Sequence, residues 1–518
     1  MSPTDLTAAD REQLRARAIS SDEIERQLAL FRKPRRFTRL VRPCTVGDGI
    51  RRIREDEVDE LLVLHRGAVE DGRFSKFVPA SGAATRMFRD LLVYQKGPRR
   101  SVAWPSVVEQ ADSGDPSART LVTFMEELQR FAFWSDLQTV TGPTRAGEYL
   151  PVLDALLETP GLGYEKLPKG LLKFHSYPER ARTPFEEQLV EARDYAFGEG
   201  GLCRLHFTVS PEHLDRFEAL FREVREFCES RFDARYEVAF SVQKSSTDTL
   251  AVDPENQPFR DDGGRLVFRP GGHGALIENL NDLGADLVYI KNIDNVQPDD
   301  RRLPVSRWKR ILGGYLIKLQ RRGQEILGRL RDDVPPQEFL DQALGFAATR
   351  LQIQLNGRLD NRSPEARRRW LLERLSRPIR VCGVVPNTGE PGGGPFWVRE
   401  RDGSVTLQII ETAQVDLDDP EQRSILAGST HFNPVDLVCG LRDGEGRPYD
   451  LDRFIDHDAV IVTEKSHAGR DLKALERPGL WNGAMAEWNT VFVETPLESF
   501  TPVKTVLDLL RPEHGVRS

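Results

Sequence analysis

Lys76-Phe77-Val78-Pro79-Ala80-Ser81-Gly82-Ala83-Ala84-Thr85-Arg86-Met87 is the stretch on which the fold turns. Its apolar start reads as a strand, its middle is a run of small residues, and a helix with Phe88, Leu91 and Leu92 follows. Ala-Ser-Gly-Ala-Ala lets a backbone come close to a ligand, because almost no side chain stands in the way. The N–H groups that open a helix lack partners within it and suit an anion. Arg86 adds a permanent positive charge and a two-pronged donor. These parts make a triphosphate site, and they also make an ordinary strand–helix turn.

Outward from that stretch, strands and helices alternate. Residues 202–209 read as a strand, with Pro211 in the first turn of a helix running to about Phe232. Strands follow at 236–242, 266–268 and 286–293, with a helix at 275–283 and two long helices over about 305–356. From 379 onward the pattern is strand-rich, clearest at 379–385, 404–411, 459–463 and 489–494. Alternating β and α units argue for an α/β protein with a mostly parallel, Rossmann-like sheet flanked by helices. Residues 1–50 read as an N-terminal helical arm, in which Ser20 and Glu23 make a capping box stapled by Ile19 and Ile24. Residues 51–375 form the core, with a helical insertion at about 97–160. Residues 376–518 form a strand-rich C-terminal part.

The 518 residues carry 39% hydrophobic and 30% charged side chains, the proportions of a globular protein with a large core. A net charge of −8 gives no footprint for nucleic acid. Arg367-Arg368-Arg369 reads as the solvated face of a helix. No apolar run spans a bilayer, and the N-terminus lacks the pattern of a signal peptide. Five scattered cysteines without a CxxC pair fit reduced thiols, so a cytoplasmic location with no membrane partner is expected.

Ligands of such sheets bind beyond the carboxyl ends of the strands, where three more constellations fall. Lys169, between Pro168 and Gly170, is either a point charge for a phosphate or a surface lysine beside a turn. Pro270-Gly271-Gly272-His273-Gly274 lies between a strand and a helix, where its glycines permit close contact with a planar or phosphorylated ligand. Asp294 ends an apolar strand, placed for Mg²⁺ shared with substrate phosphates or as a turn former. Asp299-Asp300 reads as a surface turn. Asn387-Thr388-Gly389-Glu390-Pro391-Gly392-Gly393-Gly394 is either a flap over a ligand or a wide hairpin turn.

Ser81-Gly82-Ala83-Ala84-Thr85-Arg86-Met87 resembles a degenerate form of the G-x-G-T-R-[LM] signature of sugar nucleotidyltransferases, a GT-A fold. Pro168-Lys169-Gly170 resembles the Pro-Lys element that follows it. Pro270–Gly274 and Ile293-Asp294-Asn295 are similar, in order, to elements of UDP-sugar pyrophosphorylases, most closely the UDP-N-acetylglucosamine type. The chain also resembles a bacterial family of unknown function with the same blocks. The resemblance implies that Ala80, Ser81, Gly82, Ala83, Thr85 and Arg86 hold the triphosphate, with Lys169 on the phosphates. It implies that Gln243, Gly272 and His273 contact base and ribose, and that Asp294 binds Mg²⁺. It further implies Glu411 and Asn433 as sugar-binding residues and Lys465 as a late phosphate contact. The first loop has one glycine where the family has several, and about 80 residues separate Arg86 from Lys169.

The implied reaction joins a nucleoside triphosphate, UTP by resemblance, to a sugar 1-phosphate with release of pyrophosphate. It needs no protein nucleophile, only positioning and charge neutralisation by Arg86, lysines and Mg²⁺. Two other classes stay open: a nucleotide-sugar-dependent glycosyltransferase, though no D-x-D motif stands at Asp294, and a non-catalytic nucleotide or sugar-phosphate sensor.

Overall fold

Strands buried on both faces need near-continuous apolar runs, and Leu287–Lys291 is buried at every position. The computed structural model describes residues 6–33, 36–143, 145, 147–354, 362–389, 392–400 and 403–515. The fold is mixed α/β on a large, mostly parallel sheet, and the chain divides into two compact units. The first is Met1–Phe77, Ser241–Ile290 and Arg310–Leu497; the second is Val78–Phe240, Lys291–Lys309 and Glu498–Ser518.

In the first unit the sheet order is Thr45–Val46, Gly49–Arg51, Asn489–Glu494, Ile379–Pro386, His431–Gly440, Leu287–Lys291 and Phe74–Pro79. Parallel registers set Leu287 against Phe74, Ile290 against Phe77 and Val381 against Val491. His431–Gly440 runs antiparallel to Ile379–Pro386, with Val438 facing Val381. Phe77, Val288, Val384, Leu437 and Phe492 share one buried cluster.

A separate antiparallel sheet joins Leu40–Pro43, Gly394–Arg399 and Val405–Ile410. The glycine loop after Pro386 therefore links two sheets and is not a hairpin; Glu390 and Pro391 lie outside the described residues. Gly392 carries a φ of +149°, and a Cβ there would stand 2.5 Å from the Phe432 ring. This glycine answers to close packing.

The N-terminal segment forms two helices, Ala8–Arg17 and Ser21–Arg32, parted by Ala18 in the left-handed region. Only half of the expected capping box forms. The Ser20 hydroxyl accepts from the Glu23 N–H, while the Glu23 carboxylate takes Arg26 and Gln27 instead. Arg368 is no solvated charge: it donates to the carbonyls of Leu330 and Arg331, capping the end of the long helix Asp299–Asp332.

The second unit holds Leu202–Val209 and most of Arg235–Val242, neighbours in strand order, and the Ala80 N–H donates to the Thr208 carbonyl. Among the described residues, 97–160 contain four short α-helices: Trp104–Asp112, Pro116–Glu126, Trp134–Thr141 and Tyr149–Leu157. Phe124, Phe131 and Phe133 are buried with Phe88 and Leu91, and Val503, Val506 and Leu509 join the same core. Asp299 opens a helix rather than a surface turn, because Arg182, 2% exposed, grips its carboxylate with two bonds of 2.9 Å.

Candidate active site

The second unit holds Ala80–Arg86, Lys169 and Asp294; the first holds Gln243, Gly272, His273, Glu411, Asn433 and Lys465. In the second, the small-residue loop and the Pro168-Lys169 element are stitched together through the backbone. The Ala84 N–H donates to Leu167 O at 3.0 Å, and the Lys169 N–H to Gly82 O at 3.2 Å. Chain pairing thus closes the long sequence gap between Arg86 and Lys169. Ser81, Gly82 and Ala83 are exposed, and their three successive N–H groups have no hydrogen-bond partner among the described residues. A Cβ at Gly82 would meet nothing within 4 Å, so the protein's own packing does not require this glycine. The loop opens a 3₁₀ turn, Ala84–Arg86, and the α-helix begins only at Arg89. Thr85 Oγ1 donates to Glu165 O at 3.2 Å, and Arg86 is exposed without an ion-pair partner among the described residues.

Lys169 Nζ donates to Asp294 Oδ2 and to Val503 O, both at 2.6 Å. The two side chains are only 15% and 18% exposed. Gly170 leaves room for this approach, since a Cβ there would lie 3.0 Å from Phe217 and 3.1 Å from Ile293. Gln188 fixes the backbone ahead of Asp294 by donating to Asn292 O at 2.9 Å. The segment from Glu498 onward holds it from the other side: the Val503 N–H donates to Asp294 O at 3.2 Å, and the Thr501 N–H to Asn295 Oδ1 at 3.0 Å. Among the described residues no group of three or more His, Cys, Asp or Glu side chains is assembled for a metal. A lone carboxylate fits Mg²⁺, which keeps waters and shares substrate phosphates, once Lys169 moves off it.

In the first unit Gln243 follows the strand Arg235–Val242 and has no hydrogen-bond partner among the described residues. Gly272 has a φ of +75°, and a Cβ on Gly274 would stand 2.1 Å from Pro478 O. His273 stacks on Trp481 with centroids 4.3 Å apart, and its Nδ1 accepts the Leu480 N–H at 3.1 Å. Burial lowers its pKa to about 4. Trp481 Nε1 donates to Glu411 Oε1 at 3.3 Å. Burial holds the Glu411 carboxyl above its ordinary value; the indole N–H opposes the rise and the Glu476 charge adds to it. Lys465 Nζ lies 3.6 Å from Glu476. Asn433 is 2% exposed; its N–H donates to Gly393 O at 2.8 Å, its Oδ1 accepts from the Val435 N–H, and its Nδ2 is buried without a partner among the described residues.

The structure thus brings the loop, Lys169 and Asp294 together in one unit, and His273, Glu411 and Lys465 around Trp481 and Glu476 in the other. Trp481, Glu476 and the segment carrying Val503 escape sequence reasoning. Trp481 stands among glycines in Gly479-Leu480-Trp481-Asn482-Gly483, and that isolated aromatic is the signal that marks it.

A family model described as Domain of unknown function (DUF4301) matches residues 7–515. No curated protein matches the sequence. The uridine diphosphate N-acetylglucosamine pyrophosphorylase from Trypanosoma brucei, solved with an inhibitor, is similar at TM-score 0.50 and 13% identity. That likeness covers 98% of this chain and 80% of the other. The UDP-glucose pyrophosphorylase from Leishmania major, known in open and closed structures, is similar at TM-score 0.43 and 12% identity, covering 98% and 79%. At such identity the likeness to the first speaks for a shared fold.

Proposed function

We propose that this chain, which belongs to the family described as Domain of unknown function (DUF4301), joins a nucleoside triphosphate to a sugar 1-phosphate and releases pyrophosphate. One observation carries the reading: three backbone N–H groups without a partner among the described residues, Lys169 and Asp294 are brought together from three separate stretches of chain. Such amides, and an Arg86 without an ion-pair partner among the described residues, suit the phosphates of a triphosphate. The fold shared with an enzyme whose name carries UDP-N-acetylglucosamine supports uridine as the base.

The sugar phosphate oxygen would attack the α-phosphorus, forming a new P–O bond while the bond to the β-phosphate oxygen breaks in line. Lys169 passes from Asp294 to the phosphates, and the amides of Ser81, Gly82 and Ala83 hold the chain of phosphates still. Asp294, so released, is the residue that would hold Mg²⁺, whose charge would offset that of the phosphates. The resemblance assigns Gln243, Gly272 and His273 to base and ribose, Glu411 and Asn433 to the sugar, and Lys465 to a phosphate, all within the first unit.

The test is thermal stabilisation by UTP, CTP, GTP, ATP and dTTP with Mg²⁺, followed by pyrophosphate release with sugar 1-phosphates. A ligand at 100 times its dissociation constant adds about 2.7 kcal/mol. Selective stabilisation by UTP with pyrophosphate release is expected; no shift with any triphosphate at millimolar concentration overturns the reading.

A further inference from the structure

A carboxylate that is to grip a sugar hydroxyl must itself be held, and among the described residues one side-chain donor reaches that of Glu411. This is the indole N–H of Trp481, at 3.3 Å. The same indole lies against His273, centroids 4.3 Å apart and planes 22° from parallel. One ring therefore touches a residue assigned to the nucleotide and a residue assigned to the sugar.

The ring is fixed from below. Fully buried Arg380 donates to Trp481 O at 2.7 Å and to Thr490 Oγ1 at 2.8 Å. Asn482 Nδ2 donates to Ile409 O at 2.9 Å, tying the indole's loop to the strand that leads into Glu411. Gly479 lets that loop close, because a Cβ there would stand 2.8 Å from the His273 ring and 2.7 Å from Asn482 Oδ1. Glu411 is held at its own end: its N–H donates to Gln414 Oε1 at 3.0 Å, and Gly393 lies so close that a Cβ would be 3.3 Å from Glu411 Cγ. Among the described residues the charged and titratable neighbours include Glu476, whose charge acts on Glu411, Lys465 beside Glu476, and His273.

We infer that Trp481 is a positioning residue that aims the Glu411 carboxylate at the sugar and couples it to the nucleotide loop at His273. This rests on the proposed nucleotidyltransferase reading and deepens it. The nucleotide alone needs only the stack, and the sugar also needs the N–H.

Trp481→Phe keeps a ring on His273 and deletes the donor. Titration calorimetry with UDP and with UDP-N-acetylglucosamine, on wild type, W481F, E411Q and the double variant, separates the two roles. W481F is expected to change UDP binding less than twofold and to weaken UDP-N-acetylglucosamine about tenfold, the loss of one hydrogen bond to a charged group. The double variant is expected to be no weaker than E411Q. Equal losses for both ligands, or losses that multiply in the double variant, overturn the inference. Failure of the wild type to bind either ligand overturns the proposed function as well, which distinguishes the two failures. A ligand-free arm is tryptophan emission against pH, wild type minus E411Q. A step with its midpoint above the ordinary glutamate range is expected, and a flat difference curve overturns the contact. This arm needs no folded Trp481 variant.

Discussion

Replacing Lys169 with Met removes an ammonium that two acceptors share, Asp294 Oδ2 and Val503 O, each at 2.6 Å. The carboxylate left behind is 18% exposed. Breaking a fully buried pair costs about 3–5 kcal/mol, and residual water at this one lowers that to about 2–3 kcal/mol. For a unit of this size each kcal/mol is worth about 2–4 °C, so a melting point about 5–10 °C below wild type is expected by scanning calorimetry. The double variant K169M/D294N carries no stranded charge. It is expected to melt above K169M, with a coupling of about 1–2 kcal/mol between the two sites. Turnover in a pyrophosphate-release assay is expected to fall about 10²–10³-fold in K169M, the usual loss when one charge-stabilising group is removed. K169M melting with the wild type, or losses that simply add in the double variant, would refute the account of Lys169 and Asp294 as a mutually dependent pair.

Gly82→Ala should leave the melting point unchanged, because its Cβ meets nothing, yet weaken UTP binding in calorimetry. Gly274→Ala, with a Cβ 2.1 Å from Pro478 O, should destabilise the fold by about 1–3 kcal/mol, read by urea titration. His514, packed on His175 with Arg511 and Arg301 near it, has a pKa lowered to about 3, chiefly by burial. The unfolded chain takes up that proton near pH 6.5 and the folded protein refuses it. Stability should therefore fall as pH drops from about 6.5 towards 3, by about 2 kcal/mol at pH 5, and urea titrations of H514Q should show a shallower decline. Chelation by EDTA should abolish pyrophosphate release in the same assay, and added Mg²⁺ should restore it.

The strands were legible where apolar runs have sharp ends. Leu202–Val209 and Asn489–Glu494 match the sequence reading to the residue because apolar runs end at abrupt polar or turn residues. Within Arg367-Arg368-Arg369 the reading fails at Arg368, because an arginine that caps carbonyls looks in sequence like one facing water, while Arg369 is exposed. Asp299 was misread because its partner, Arg182, is more than a hundred residues away. In the candidate site the short motifs stood out as segments, whereas their assembly did not. Nothing local in Lys169 says that its amine will meet Asp294 and the carbonyl of Val503. Trp481 belongs to an irregular turn without periodicity, so only its contacts reveal its place.

The second unit is drawn from three stretches of chain, and its hydrophobic cluster includes Val503, Val506 and Leu509. During synthesis the loop at Ala80–Arg86, Lys169 and Gln188 emerge early, but Thr501 and Val503, which hold Asn295, Asp294 and Lys169 from the other side, arrive only with residues 498–515. Until then the ribosome displays a half-built core whose apolar face is open to water. A stop codon after Leu497 would trim little mass and yet leave this unit without its keystone. Chaperone dependence and inclusion-body formation should concentrate in such truncations, rather than in losses of equal length elsewhere on the surface.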